Sequence, residues 1–246
     1  MTGHDLLRDK VVVVTAAAGT GIGSSVARRA LEEGARVVVS DWHERRLAAT
    51  ASDLGVKAIP CDVTSEEQVQ ALVDGTVAEY GRLDVMINNA GLGGTASVLE
   101  MTDDEWLRVL DVTLNGTFRC TRAALRQMVA QGSGAVVNNA SVVGWRAQEG
   151  QAHYAAAKAG VMALTRCAAM DVAAHGIRVN AVAPSLAMHP HLAKVTSEEL
   201  LRELTAREAF GRSAEPWEVA NVMVFLASDL ASYLTGEVIS VSSQHP

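Results

Sequence analysis

Lys10-Val-Val-Val-Val-Thr15-Ala-Ala-Ala-Gly19-Thr-Gly21-Ile-Gly23 is followed by Ser24–Glu33, and then by Arg36-Val-Val-Val-Ser40-Asp41. The first β-branched run predicts a short strand buried on both faces. Ser24–Glu33 has helical spacing and good helix formers, and Gly34 ends it. Arg36–Ser40 predicts a second strand with Asp41 at its end. Strand, glycine turn, helix, strand and acid is the order of a dinucleotide-binding unit. The glycines let the backbone approach a pyrophosphate, which rests on the helix N-terminus. Asp41 stands eighteen residues past Gly23, where it can accept hydrogen bonds from the adenosine ribose. A carboxylate there suits NAD and repels the extra phosphate of NADP. No Lys or Arg occurs within Thr15–Gly23, and Arg45 and Arg46 fall further on, in a predicted helix. NAD is the expected cofactor, with Thr15, Gly19, Gly21, Ile22 and Asp41 as expected contacts.

The alternation continues outward. Glu44–Leu54 reads as helix and Val56–Pro60 as a lead into Cys61-Asp62-Val63. Asp62 is positioned either to accept from an adenine amino group or to cap a helix starting near Ser65. Asp62 and Val63 are added to the expected cofactor contacts. Glu66–Tyr80 is helical, and Leu83–Asn88 is a strand followed by Asn89-Ala90-Gly91, whose Asn88 and Asn89 can cross-link loops. Asp103–Gln131 reads as one long helical stretch and Ala135–Asn138 as a strand. Tyr154–Ala174 is helical and Ile177–Ala183 a strand. Glu198–Ala209 and Glu215–Ser228 are helices, and Gly236–Val241 is a last strand. Repeated strand–helix alternation predicts an α/β fold: a doubly wound parallel sheet of Rossmann type, with helices on both faces. Its ligand belongs at the strands' carboxyl ends.

Ser141 lies at such an end, thirteen residues before Tyr154 in Tyr154-Ala-Ala-Ala-Lys158. Tyr and Lys four apart share one helix face. A free phenol, with a pKa of about 10, is a poor base near neutrality, and a nearby ammonium favours the phenolate. Ser141, Tyr154 and Lys158 form a candidate group for moving a proton on or off an alcohol oxygen. A bare Tyr-x-x-x-Lys also suits an ordinary surface pair at a helix start.

Composition narrows the classes. The chain has 246 residues, 20 Gly and 5 Pro, with no linker-like tract or repeat, so residues 1–246 read as a single domain. A net charge of -7 argues against nucleic acid as partner. Cys61, Cys120 and Cys167 lack metal-ligand spacing and read as reduced core thiols. His189-Pro-His191 has no third ligand nearby, so no metal is expected. Met1–Asp5 shows no secretory pattern, and no apolar run nears the ~20 residues of a membrane span. A cytoplasmic protein is expected.

Over nearly its whole length the chain resembles the short-chain dehydrogenase/reductase family. The motifs that carry this are the glycine turn, Asp62, Asn88-Asn89-Ala90-Gly91, Ser141, Tyr154-Ala-Ala-Ala-Lys158 and Asn180-Ala-Val-Ala-Pro184. The resemblance implies Tyr154 as general acid/base and Ser141 as the group that steadies the substrate oxygen. It implies that Lys158 holds the nicotinamide ribose and lowers the tyrosine pKa. It also implies residues 185–212 as a substrate-covering segment, and a homodimer or homotetramer paired through the Tyr154–Ala174 helix and the one before it.

The departures matter too. Ala16 replaces the usual first glycine, and one extra residue in the turn implies a bulge at Gly19. A family Asn falls at Thr113; Asn115 is about 200° further round a regular helix and should not replace it. Ser185, His189 and the end Val241-Ser-Ser-Gln-His-Pro246 are also unusual. Together these resemble a narrower group of bacterial steroid-degradation enzymes acting on CoA-linked ring alcohols. The implied partner is a small-molecule CoA thioester. Leu186, Met188, Leu192 and Trp145 are candidate pocket residues, and Arg146, Lys194 and Arg212 candidate CoA-phosphate contacts. Competing readings are a 3-oxoacyl-thioester reductase and a dinucleotide-binding sensor with little turnover.

Overall fold

A computed structural model describes residues 3–188 and 198–243. Seven parallel strands form one sheet: β1 (Val11–Val14), β2 (Arg36–Val39), β3 (Lys57–Ala58), β4 (Val85–Asn88), β5 (Gly134–Asn139), β6 (Ile177–Pro184) and β7 (Val238–Val241). Their order is β3-β2-β1-β4-β5-β6-β7, and all six pairings are parallel. Val12 pairs with Val37 on one side and Val85 on the other. Between β1 and β4 the winding reverses, which opens a crevice at the strands' carboxyl ends.

The helices are α1 (Ile22–Glu32), α2 (Glu44–Leu54), α3 (Glu66–Tyr80), α4 (Asp103–Leu110), α5 (Gly116–Gln131), α6 (Ala152–Val172), α7 (Glu198–Ala206) and α8 (Pro216–Ala227). Strand side chains alternate between faces, and both faces are dry. Val12, Val14, Val37 and Ile87 pack with Val26 and Ala30 of α1 and Val219 and Met223 of α8. Val13, Val38, Met86 and Val136 pack with Leu72 of α3, Cys120 and Ala124 of α5, and Ala169 of α6. That two-sided burial is what the uninterrupted valine runs require.

Three details differ from the sequence reading. The Asp103–Gln131 helix is not uniform: Asp111–Asn115 forms a π-helical turn between α4 and α5. Asp111 Oδ1 stabilises it by accepting from Asn115 Nδ2 at 3.1 Å and Arg119 Nη2 at 2.9 Å. The cap of α3 is Ser65, whose hydroxyl accepts from the Gln68 amide, and not Asp62. Cys61 and Cys120 are buried thiols, but Cys167 is exposed on α6, because only part of that helix faces the sheet. Burial pushes the Cys61 thiol up to about 12. Among the described residues no helix is long and apolar enough to cross a membrane.

Candidate active site

The glycine turn is built around two positive φ angles, +49° at Ala16 and +98° at Gly19. Ala16 therefore holds a left-handed conformation normally left to glycine. The extra residue is taken up at Gly19, whose amide donates to Thr50 Oγ1 at 3.0 Å. Gly23 cannot be larger: a Cβ there would lie 2.4 Å from the Ala16 carbonyl oxygen and 2.6 Å from Asn89 Nδ2. Gly21 begins α1 without a side-chain cap, and no acid occupies the first turn after Ile22. The first amide groups of the helix are thus left for an anionic ligand.

Thr15 ties this turn to β4. Its buried hydroxyl accepts from the amides of Asn89 at 3.0 Å and Ala90 at 3.1 Å, and donates to the Ile87 carbonyl. Asn89 Nδ2 reaches the carbonyls of Thr15 and Ala16, and its Oδ1 accepts from Asn139 Nδ2 at 2.9 Å. Asn89 does cross-link neighbouring loops. Asn88 does not, because the next residue along a strand points to the other face. It donates to Thr121 Oγ1 and Asn138 Oδ1 in the interior, and Asn138 donates on to Thr165.

Asp41 is buried at the end of β2 and accepts from the amides of His43 at 2.9 Å and Ala18 at 3.3 Å. It braces the turn at the spot expected for the ribose. Asp62 Oδ1 accepts from the Thr64 amide and hydroxyl, closing a local turn. Val63 is buried against Gly116, where a Cβ would come within 2.6 Å of its methyl group. The uncapped α1 N-terminus and the braced glycine turn fit a dinucleotide.

Ser141, Tyr154 and Lys158 come together at the ends of β5 and β6. Ser141 leaves β5 in an extended conformation (φ -167°), and its hydroxyl lies 3.5 Å from the Pro184 carbonyl. Tyr154 and Lys158 share the first turns of α6, with Nζ 5.5 Å from the phenol ring centroid. Lys158 is buried and donates to the Asn139 carbonyl. Burial pushes the Lys158 amine down to about 7. Burial also pushes the Tyr154 phenol up to about 12, against the opposing effect of its hydrogen bond with Ser141. The direction of the phenol's shift is set by burial. Desolvation disfavours the charge of both groups, and the lysine's hydrogen bond goes to a carbonyl.

Thr113 is buried, and its hydroxyl both accepts from the Leu92 amide at 2.9 Å and donates to the Leu92 carbonyl at 3.0 Å. Asn115 is exposed and bonded to Asp111, so even the π-turn does not bring it into the site.

Of the candidate pocket residues, Leu186 and Met188 are half-buried and Trp145 is 51% exposed. Arg146 is half-buried. Arg212 is committed to Glu218, with bonds of 2.7 and 2.8 Å to its two carboxylate oxygens, which holds Glu218 down at about 2. That pairing weakens the case for Arg212 as a phosphate contact. His189, His191, Leu192 and Lys194 lie outside the described residues. Among the described residues no group of three or more His, Cys, Asp or Glu is arranged to hold a metal. Sequence reasoning missed Asn139, whose carbonyl holds Lys158; the Asn138-Asn139 pair at a strand end was the available signal.

The family model described as Enoyl-(Acyl carrier protein) reductase matches residues 16–243. The chain is 65% identical to the Mycobacterium tuberculosis (5R,7aS)-5-hydroxy-7a-methyl-1-oxo-2,3,5,6,7,7a-hexahydro-1H-indene-carboxyl-CoA reductase, over 100% of this chain and 97% of that protein. It is 44% identical to the cis-4-hydroxycyclohexanecarboxylate dehydrogenase of Sinomonas cyclohexanicum, over 95% of each. A crystal structure of a short chain dehydrogenase from Mycobacterium smegmatis superposes with a TM-score of 0.89 at 57% identity, covering 100% of this chain and 97% of that one. The chain belongs to the short-chain dehydrogenase/reductase family and is an oxidoreductase.

Proposed function

We propose that this enzyme uses NAD to interconvert a ring secondary alcohol and its ketone, on a CoA-linked indane-type intermediate of steroid C/D-ring degradation. The observation that carries the reading is the convergence of Ser141, Tyr154 and Lys158 at one cleft. The 65% identical relative named for an indene-carboxyl-CoA substrate and the 44% identical one named for a hydroxycyclohexane acid support the ring alcohol. Bound NAD supplies hydride chemistry. The buried Asp41 carboxylate supports NAD over NADP.

In this reading Ser141 and Tyr154 hydrogen-bond the substrate oxygen. Tyr154 donates its proton to that oxygen in reduction and takes it back in oxidation. Lys158 sits beside the ring as the charge that assists this transfer, and would also hold the nicotinamide ribose. The α1 N-terminus, Thr15, Gly19, Gly21, Ile22, Asp41, Asp62, Val63 and Asn89 would hold the rest of the dinucleotide.

The enzyme would work as a homodimer or homotetramer. An apolar groove of about 460 Å³ between α5 and α6, lined by Phe118, Leu125, Val129, Leu164 and Ala168, supports pairing through these helices. A monomer by light scattering at micromolar concentration would contradict it.

Turnover of a CoA-linked cyclic alcohol, compared with its free acid and with a linear 3-hydroxyacyl thioester, tests the substrate. Preference for the linear thioester would replace the ring reading.

A further inference from the structure

Three pieces of chain meet at one buried carboxylate, Glu208, which is 4% exposed. The first is the segment leaving β6. The Ser185 amide donates to the Val241 carbonyl of β7 at 3.2 Å, and the Leu186 amide approaches Glu208 Oε1 at 3.5 Å. The second is the segment returning after α7, where the Ala209 amide donates to the Ser243 carbonyl at 3.0 Å. The third is the tail after β7, where the Ser243 hydroxyl donates to Glu208 Oε2 at 2.7 Å. A further clasp joins Ala187 to Ala214, with the Met188 amide on the Ala214 carbonyl at 2.9 Å and the Ala214 amide on the Leu186 carbonyl at 2.8 Å.

Between these anchors α7 packs lightly among the described residues. None of its residues is fully buried, and Leu200, Leu201 and Leu204 are only half-covered. Core packing therefore does not determine where the helix sits. A buried acid is a costly choice for a packing role, which an apolar side chain would fill without desolvating a charge. The anchor also lies close to the chemistry: Pro184, two residues before Leu186, receives the Ser141 hydroxyl.

We propose that Glu208, through Ser243, is a positioning residue that holds residues 185–188 and 207–212 beside β6 and β7 and so determines the affinity for substrate. This rests on the proposed role of the 185–212 segment in covering the substrate. Ser243 then forms part of the substrate-binding apparatus, linked to it through its bond to Glu208.

The test uses Glu208→Gln, which keeps size but places an amide among the donors, and Ser243→Ala, the milder change. Each should raise KM for the CoA-linked ring substrate about tenfold with kcat changed less than about threefold. The double variant should be less than additive. NAD affinity should match the wild type. Tryptic cleavage at Arg202 and Arg207 should quicken in both variants, a readout that needs no substrate. If wild type turns over no ring alcohol, the substrate reading fails, and the cleavage rates still decide the anchor. Unchanged KM with unchanged cleavage would overturn the proposal. So would equal losses of kcat and NAD affinity, which mark a general structural defect.

Discussion

Thr113 and Leu92 are joined by a reciprocal pair of hydrogen bonds, amide to hydroxyl at 2.9 Å and hydroxyl to carbonyl at 3.0 Å. The single hydroxyl proton is therefore committed to the backbone after β4. Thr113 is a strut between that loop and the π-turn, beside the Gly91 backbone that faces Lys158. Thr113→Val should leave both Leu92 groups without partners and cost about 1–3 kcal/mol of stability. Thr113→Ser keeps the hydroxyl and should cost much less. Urea unfolding of the two variants reads the difference; equal costs would mean that the methyl group, not the bond pair, is what matters.

Lys158 and Tyr154 impose opposite pH slopes on stability. The lysine amine is held near 7, below its ordinary 10.5, because burial disfavours its charge. Between those values the unfolded chain carries a proton that the folded one lacks. Stability thus falls as pH drops from about 10.5 towards about 7, and levels off below. The phenol is held near 12, above its ordinary 10, so its contribution is complete below 10 and lost between 10 and 12. Comparing urea midpoints of wild type and Lys158→Met from neutral pH to pH 9 isolates the first slope. Wild type should gain stability with pH and the variant should gain less; parallel curves would exclude Lys158 as the cause.

Asp41 braces the Ala18 and His43 amides and stands where the adenosine ribose is expected. Asp41→Ser should weaken NAD binding by about tenfold or more and narrow the gap between NAD and NADP, since the carboxylate that repels the extra phosphate is gone. Calorimetric titration with each cofactor measures both effects. An unchanged ratio of affinities would place the discrimination elsewhere.

The sheet was legible because its central strands are β-branched runs buried on both faces and they alternate with helices, a pattern that a covered parallel sheet satisfies. Val11–Val14, at or near zero exposure throughout, shows this directly. The strand end at Ser141 and the helix period of Tyr154 and Lys158 made their shared edge of the sheet legible, while their roles came from the family resemblance. The π-turn did not, because it depends on Asp111 holding Asn115 and Arg119 together, which no local propensity announces. The raised phenol pKa was also hidden: residue spacing shows which charges are neighbours but not how much water burial removes. The roles of Asn88 and Glu208 lay beyond reach for a related reason. Each depends on what a neighbouring strand, helix or tail presents across the fold.

The central claim is that Tyr154 transfers the proton. The most direct measurement is NAD reduction by a CoA-linked cyclic secondary alcohol, in wild type and Tyr154→Phe, with NAD affinity measured in parallel. Loss of a general acid/base typically costs about 10²–10⁴-fold in rate, so the variant should lose at least that while binding NAD as wild type does. Wild-type turnover in Tyr154→Phe would contradict the account.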